Sequence, residues 1–230
     1  MDAGILYIVG TPIGNLSDIT FRTIETLKKV DLIVCEDTRT SKKLLEHYEI
    51  KTPNSSFYQN IRKGGATKPV PKIEQAIREL NNGKNLALIT DAGTPGISDP
   101  GNQLVEAAVK ENISVIPIPG ASSLTTLISV AGIDLSKFTF LGFPPHKKGR
   151  ETFFKKAVAS EIPVIYFESP HRLIKNLELL KDLNLDKEII LGRELTKVFE
   201  EIIRGDIESI VNYYEKNQEK IKGEFVIILN

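Results

Sequence analysis

The sequence predicts an α/β protein made of two domains, and three observations carry that expectation. Runs of Val, Ile, Leu and Phe that suit strands alternate with amphipathic segments that suit helices, the βα order of a mostly parallel sheet. The alternation breaks near Ile118–Gly120 and then restarts. Pro-Ile-Pro-Gly cannot continue a central strand there, because proline lacks the N–H that a ladder needs. The domains are accordingly set at 1–118 and 119–230. Finally, three loops rich in Gly and Pro each begin where an apolar run ends, and an open α/β sheet holds ligands outside the carboxyl ends of its strands.

Taken in order, Ile5–Val9 is the first strand. Thr20–Val30 is a helix, with Phe21, Ile24, Leu27 and Val30 on one face. Leu32–Cys35 is a short buried strand, and Ser41–Tyr48 a helix. Thr52–Lys68 is polar and bears glycine, so it reads as a mobile loop. Pro71–Asn81 is a helix with Ile73, Ile77 and Leu80 inward. Leu86–Ile89 is a strand, Asn102–Lys110 a helix and Ile113–Ile116 a strand. After the break come a small-residue helix at Ser122–Ala131, a strand at Phe138–Leu141, a basic loop at Pro144–Arg150 and a helix at Glu151–Ala159. Pro163–Phe167 is a strand, His171–Leu183 a helix, Glu188–Leu191 a strand and Val198–Arg204 another. A helix at Ile207–Lys216 and an apolar strand at Phe225–Leu229 close the chain. No repeat with a period of 20–50 residues is visible, which excludes a solenoid.

Composition narrows the function classes. Thirty basic and thirty acidic residues cancel, so no whole-chain field announces a nucleic-acid partner. The start lacks the basic stretch and long apolar run of a secretory signal. No run approaches the roughly 20 apolar residues of a membrane span. The single cysteine, Cys35, excludes an internal disulfide and a cysteine-based zinc cluster, and three scattered histidines do not suggest a metal site. The expectation is a cytoplasmic α/β protein without a metal.

The three loops are Gly10-Thr-Pro-Ile-Gly-Asn-Leu16, Thr90-Asp-Ala-Gly-Thr-Pro-Gly-Ile-Ser-Asp-Pro-Gly101 and Pro117-Ile-Pro-Gly-Ala-Ser-Ser123. None fits G-x-G-x-x-G or G-x-x-x-x-G-K-[ST], so neither a dinucleotide nor a phosphate loop is indicated. Their glycines let the backbone approach a ligand closely, and their prolines lower the entropy lost on binding. The second and third loops also have plainer readings. Asp99 can simply cap the helix after it, and Ser122 the helix after the third loop.

Charge is local. Arg39–Lys72 holds eight basic and two acidic residues, and Lys137–Lys156 holds six basic residues against Glu151 alone. Such patches suit a phosphate backbone, with Tyr58, Phe143 and His146 placed to stack on unpaired bases; a solvated surface is the plain alternative. Two further clusters follow strand ends. Phe167-Glu-Ser-Pro-His-Arg172 brings Glu168, His171 and Arg172 together, with Pro170 at a helix start. Glu36-Asp-Thr-Arg39 either orients a polar substrate or caps a helix through Thr38 or Thr40.

These motifs resemble the tetrapyrrole methylase fold family of S-adenosylmethionine-dependent methyltransferases, and within it the enzymes that methylate small-subunit ribosomal RNA. The resemblance rests on Leu6–Thr20, Cys35-Glu-Asp-Thr-Arg39, Asp91–Gly101, Pro119-Gly-Ala-Ser-Ser123, Phe167–Arg172, Gly192-Arg-Glu-Leu-Thr196 and Gly223-Glu-Phe225, which span nearly the whole chain. It implies two α/β domains with the cofactor cleft between them, and a homodimer. It implies transfer of a methyl group to the ribose 2′-oxygen of a cytidine in the decoding region of small-subunit (16S) rRNA. The cofactor contacts it implies fall on Pro12, Asp91, Ala92, Thr94, Gly96, Ile97, Ser122, Ser123 and Phe167. S-adenosylmethionine carries no phosphate, which accords with the absent lysine. Glu168, His171, Glu36 and Asp37 are the candidates for a proton acceptor, and the residues do not choose among them. Arg39, Lys147, Lys148, Arg150 and Arg172 are expected to hold rRNA phosphates. Some members of that family continue past the last strand, whereas this sequence ends at Asn230. The competing readings are a tetrapyrrole methyltransferase of the same fold, a phosphoryl-transfer enzyme and a non-catalytic RNA-binding module.

Overall fold

A computed structural model describes residues 3–56 and 71–230. The chain divides into two units, Met1–Ser122 and Ser123–Asn230. The first unit is a five-stranded parallel sheet in the order β3-β2-β4-β1-β5. Its strands are β1 (Ile5–Val9), β2 (Leu32–Cys35), β3 (Asn54–Ser56), β4 (Leu86–Ile89) and β5 (Ser114–Ile118). Helices α1 (Phe21–Lys29), α2 (Thr38–His47), α3 (Pro71–Asn81) and α4 (Asn102–Lys110) connect them.

The central strand β4 shows why its sequence is apolar throughout. Successive side chains point to opposite faces of a strand. Leu86 and Leu88 join Leu6, Leu80 and Leu104 in one core, while Ala87 and Ile89 join Val9, Leu27 and Ile33 in the other. A parallel sheet buried on both faces leaves no polar side to the pattern.

Ends are set by caps. Thr20 starts α1 by accepting the Thr23 N–H at 3.0 Å. The expected cap of α2 by Thr38 or Thr40 is corrected: Asp37 accepts the Arg39 N–H at 2.9 Å, and Thr38 is the first helical residue. Strand β5 also corrects the reading. It runs two residues past Ile116 and includes Pro117, opposite Ile8. Proline is tolerated because β5 is an edge strand, where one row of N–H groups has no ladder partner. In the expected Thr52–Lys68 loop, Asn54–Ser56 pairs in parallel with β2, and residues 57–68 lie outside the described residues.

The second unit departs further from expectation. Its strands are β6 (Thr139–Phe140), β7 (Val164–Glu168), β8 (Ile189–Arg193), β9 (Glu201–Gly205) and β10 (Phe225–Leu229), ordered β6-β7-β10-β8-β9. Only β6–β7 is parallel; the other three pairings are antiparallel, so this sheet is not the mostly parallel one that βα alternation suggested. The last strand enters the middle of the sheet, which is why all five of its residues are buried. Helices α5 (Ser123–Val130), α6 (Arg150–Val158), α7 (Leu173–Asp182) and α8 (Ile207–Lys216) complete the unit. Its core joins Leu173, Leu177 and Leu180 of α7 and Ile210 and Tyr214 of α8 to Tyr166, Ile227 and Phe154. The expected strand at Val198–Arg204 starts only at Glu201.

Candidate functional site

In the first unit β4, β1 and β5 are neighbours, so the three Gly/Pro loops leave the sheet side by side. They are knitted together by backbone amides and threonine hydroxyls that donate to backbone carbonyls. The Gly10 N–H donates to Ile118 O at 3.0 Å and the Thr11 N–H to Gly93 O at 2.9 Å. The Thr94 hydroxyl donates to Ala121 O at 3.0 Å, and the Thr23 hydroxyl of α1 to Gly10 O at 3.3 Å. Gly10 and Gly120 press together: a Cβ on either would lie 2.7 Å from backbone atoms of the other. That approach is closed to any other residue pair and draws the first and third loops into contact.

The second loop is stapled from within. Asp99 accepts the N–H groups of Gly96 at 2.6 Å, Ile97 at 3.1 Å and Gly101 at 2.8 Å. It does not cap α4, whose cap position is Gly101 without a side-chain bond; the expectation of a simple helix cap is corrected. Asn102 donates to Gly96 O at 3.2 Å, closing the turn from the other side. Ser98, at φ 64°, sits at the exposed tip. Of the expected cofactor contacts, Pro12 is buried; Thr94, Gly96, Ile97 and Ser122 are half-buried; Asp91 and Ala92 are exposed. Ser123 opens α5 in the second unit.

Acidic groups gather beside this loop set, at the ends of the paired strands β2 and β4. Asp91 accepts the Asp37 N–H at 3.2 Å. Arg39 forks onto the Asp37 carboxylate at 2.6 Å and holds that carboxyl down at about 2. Burial, and then the Asp91 charge, pushes the half-buried Glu36 carboxyl above its usual range. Partial burial raises Asp91 as well.

In the second unit, Glu168 ends β7 with no exposed side-chain surface. It accepts the Ser169 N–H at 2.7 Å and the Asn176 side-chain amide at 2.5 Å. Burial pushes its carboxyl up, against the pull of those donors and of Arg172. Arg172 is 3.5 Å from Glu168 and donates to Pro144 O at 2.6 Å, with only 13 % of its side chain exposed. His171 is exposed on the turn before α7. Phe167 meets Phe140 edge-to-face at 5.0 Å and Phe143 at a tilt at 5.3 Å. Lys147 and Lys148 are exposed, as is His146, and Arg150 begins α6. In the first basic stretch, Arg39 is taken by Asp37 and Lys72 donates to Ser56 O at 2.6 Å. Tyr58, Arg62, Lys63 and Lys68 lie outside the described residues.

Two residues escaped sequence reasoning. Asn176 is a polar residue on the Leu173, Leu177 and Leu180 stripe of α7, and that placement was its signal. Glu194, at φ 49°, accepts Lys197 at 2.8 Å and the Glu224 N–H at 3.0 Å. It thereby ties the Gly192–Thr196 turn to Gly223-Glu-Phe225. Its carboxylate lies where a Cβ on Gly223 would stand, 2.2 Å away, so the two motifs form one joint. Among the described residues no cluster of three or more His, Cys, Asp or Glu is placed to hold a metal, and no helix is long and apolar enough to cross a membrane.

Residues 5–211 match the family described as tetrapyrrole (corrin/porphyrin) methylases. The chain is 42% identical over 98% of its length to a ribosomal RNA small subunit methyltransferase I from Synechocystis, covering 78% of that protein. It is 41% identical to the protein of the same name from Thermotoga maritima, over 99% of this chain and 98% of that one. Among solved structures it is similar to a cobalt precorrin-4 methyltransferase, with a TM-score of 0.68 and 14% identity over 97% of this chain and 94% of the other.

Proposed function

Because the chain belongs to the tetrapyrrole methylase family and is an S-adenosylmethionine-dependent methyltransferase, we propose that it methylates small-subunit ribosomal RNA, at the ribose 2′-hydroxyl of a cytidine in the decoding region. The observation that carries the substrate is identity above 40%, over nearly all of this chain, to relatives named for that rRNA. The 14% identity to the tetrapyrrole enzyme speaks for the fold alone.

The residues present fit the cofactor. The loop set offers backbone groups, hydroxyls and carboxylates; of the cations described beside it, Arg39 is paired with Asp37 and Arg22 donates to Pro117 O at 3.3 Å. The carboxylates Asp91 and Asp99 in that set suit an adenosyl group bearing a cationic sulfonium. Thr94, Gly96 and Ile97, on a loop stiffened by Asp99 and Pro95, would hold it together with Asp91 and Ser122. Pro12, Ala92, Ser123 and Phe167 belong to the same proposal. When bound, S-adenosylmethionine supplies an electrophilic methyl carbon whose bond to sulfur breaks as the new bond to oxygen forms. The protein's main work is then alignment, which rigid loops perform without loss of entropy at each turnover. Of the four candidate proton acceptors, Glu36 combines access with raised proton affinity. Asp37 is too weak a base beside Arg39, and Glu168 has no exposed surface. Lys147, Lys148 and Arg150 would carry the rRNA phosphates. A homodimer in the cytoplasm, where small subunits mature, belongs to the same reading.

The test is incubation with methyl-labelled S-adenosylmethionine and small subunits lacking decoding-region ribose methylation, followed by nuclease digestion. Label in a 2′-O-methylcytidine is expected. Label only in an added tetrapyrrole precursor, or none, overturns the reading.

A further inference from the structure

We infer that Glu168 and Arg172 act as positioning residues: they clamp the start of the Pro144–Arg150 loop and so aim its cations at the RNA. The RNA part of this inference rests on the function proposed above. The starting observation is how little of the pair is open. The Glu168 carboxylate is fully covered and already accepts from Ser169 and Asn176. A base must reach the proton it removes, and this one faces only its own protein. Arg172, 13 % exposed, spends one nitrogen on Pro144 O at 2.6 Å and lies 3.5 Å from Glu168.

What the pair holds is the entrance to the basic loop. The Phe167 N–H donates to Gly142 O at 3.0 Å, and Phe143 packs on the Phe167 ring at 5.3 Å. Gly142, Phe143 and Pro144 are therefore each pinned to the end of β7 or the turn after it, Pro144 through Arg172. Beyond that clamp the chain carries Lys147 and Lys148, which are exposed and form no ion pair among the described residues. Gly149, at φ 86°, then turns the chain into α6. A loop fixed at its root presents free lysines in one place. A loop loose at its root would have to be ordered by the RNA, at an entropic cost to affinity.

The pair is coupled, so each half needs the other. A buried charge that loses its partner is left uncompensated. Asn176 completes the arrangement by holding the carboxylate oxygen that Ser169 does not.

The experiment compares wild type, R172A, the loop variant K147A/K148A/R150A and their combination, with E168Q as a variant that keeps the side-chain volume. Without RNA, trypsin cleavage after Lys147 and Lys148 should accelerate at least about tenfold in R172A and rise in E168Q, as expected when local opening becomes cheaper. With a small-subunit rRNA fragment, R172A should weaken binding about tenfold in the wild-type loop and hardly at all in the loop variant, because residues acting through one another are non-additive. KM for RNA should rise more than kcat falls. An unchanged cleavage rate overturns the clamp. An equal loss in both loop backgrounds means that Arg172 grips RNA itself and also overturns it. A fall in kcat with KM unaltered in E168Q returns Glu168 to the chemistry and overturns its positioning role. Faster cleavage in a protein whose wild type binds no such RNA would leave the clamp standing and remove the proposed substrate.

Discussion

Gly120→Ala places one methyl group where the structure has no room for it. The new Cβ would stand 2.7 Å from the Gly10 carbonyl carbon and oxygen and 2.8 Å from its Cα. Carbon atoms rest at about 3.5–4.0 Å, so the ends of β1 and β5 must part by roughly 1 Å. That movement stretches the 3.0 Å bond from Gly10 to Ile118 past hydrogen-bonding range. It also pulls on the Thr94–Ala121 bond, the tie between the second and third loops. Overpacking of this kind costs about 1–3 kcal/mol. For a chain of this length each kcal/mol lowers Tm by about 2–4 °C, so a fall of roughly 2–12 °C is expected. Cofactor affinity should fall at least about tenfold, or 1.4 kcal/mol, because the loops lose their spacing. Circular dichroism melting and calorimetric titration with S-adenosylmethionine measure the two effects. Gly10→Ala creates the same clash from the other side, so the double variant should cost less than the sum of the singles. An unchanged Tm, or an affinity within twofold of wild type, would refute the claim that this contact spaces the loops.

Asp99→Ala removes the acceptor of three amides and should weaken S-adenosylmethionine binding about tenfold or more, with Asp99→Asn less severe, since charged acceptors form the stronger bonds; calorimetry decides. Thr94→Arg should abolish cofactor binding in a protein that still melts cooperatively, and retained affinity in that variant would move the cofactor off this loop. The Asp37 carboxyl should titrate at about 2 by NMR and rise toward the ordinary carboxylate range in Arg39→Ala, where the backbone N–H of residue 39 still donates to it. Because its folded pKa is depressed, the pair contributes above the ordinary range and is lost as pH falls through about 2. Being exposed, it should also weaken with added salt.

The parts of the fold that were legible were those where burial alone writes the sequence. β4 and β10 are covered on both faces and read as unbroken apolar runs. β3 was missed because Asn54-Ser-Ser56 is a polar edge with no apolar pattern at all. Val198 and Phe199 read as the start of a strand, yet they are 93% and 67% exposed, on the turn that follows Glu194 and Thr196 at positive φ. Strand direction was the larger error, and a clue was present. A parallel return needs a crossover of about a dozen residues or more, and the link from Arg193 to Glu201 is too short for one. Length of connection, not composition, carries direction.

The site divides the same way. Motifs exposed its loops, but not which partner each side chain would choose, because that choice depends on neighbours distant in sequence. Asp99 had a helix to cap and took its own loop's amides instead. Arg172 had a solvated role available and took Pro144 O, twenty-eight residues earlier. In both cases a charged group turned inward to immobilise a loop. The consequence is a separation of charge that a neutral total conceals. Glu36, Asp91 and Asp99 bring carboxylates to the loop end of the first unit, where Asp37 is paired with Arg39, and the sulfonium is proposed to sit there. The free lysines of the second unit lie on a loop anchored by a buried pair. A cofactor that is cationic and a substrate that is polyanionic place opposite demands on one protein. Under the proposed site each demand falls to a different stretch, one stapled by Asp99 and the other anchored through Arg172.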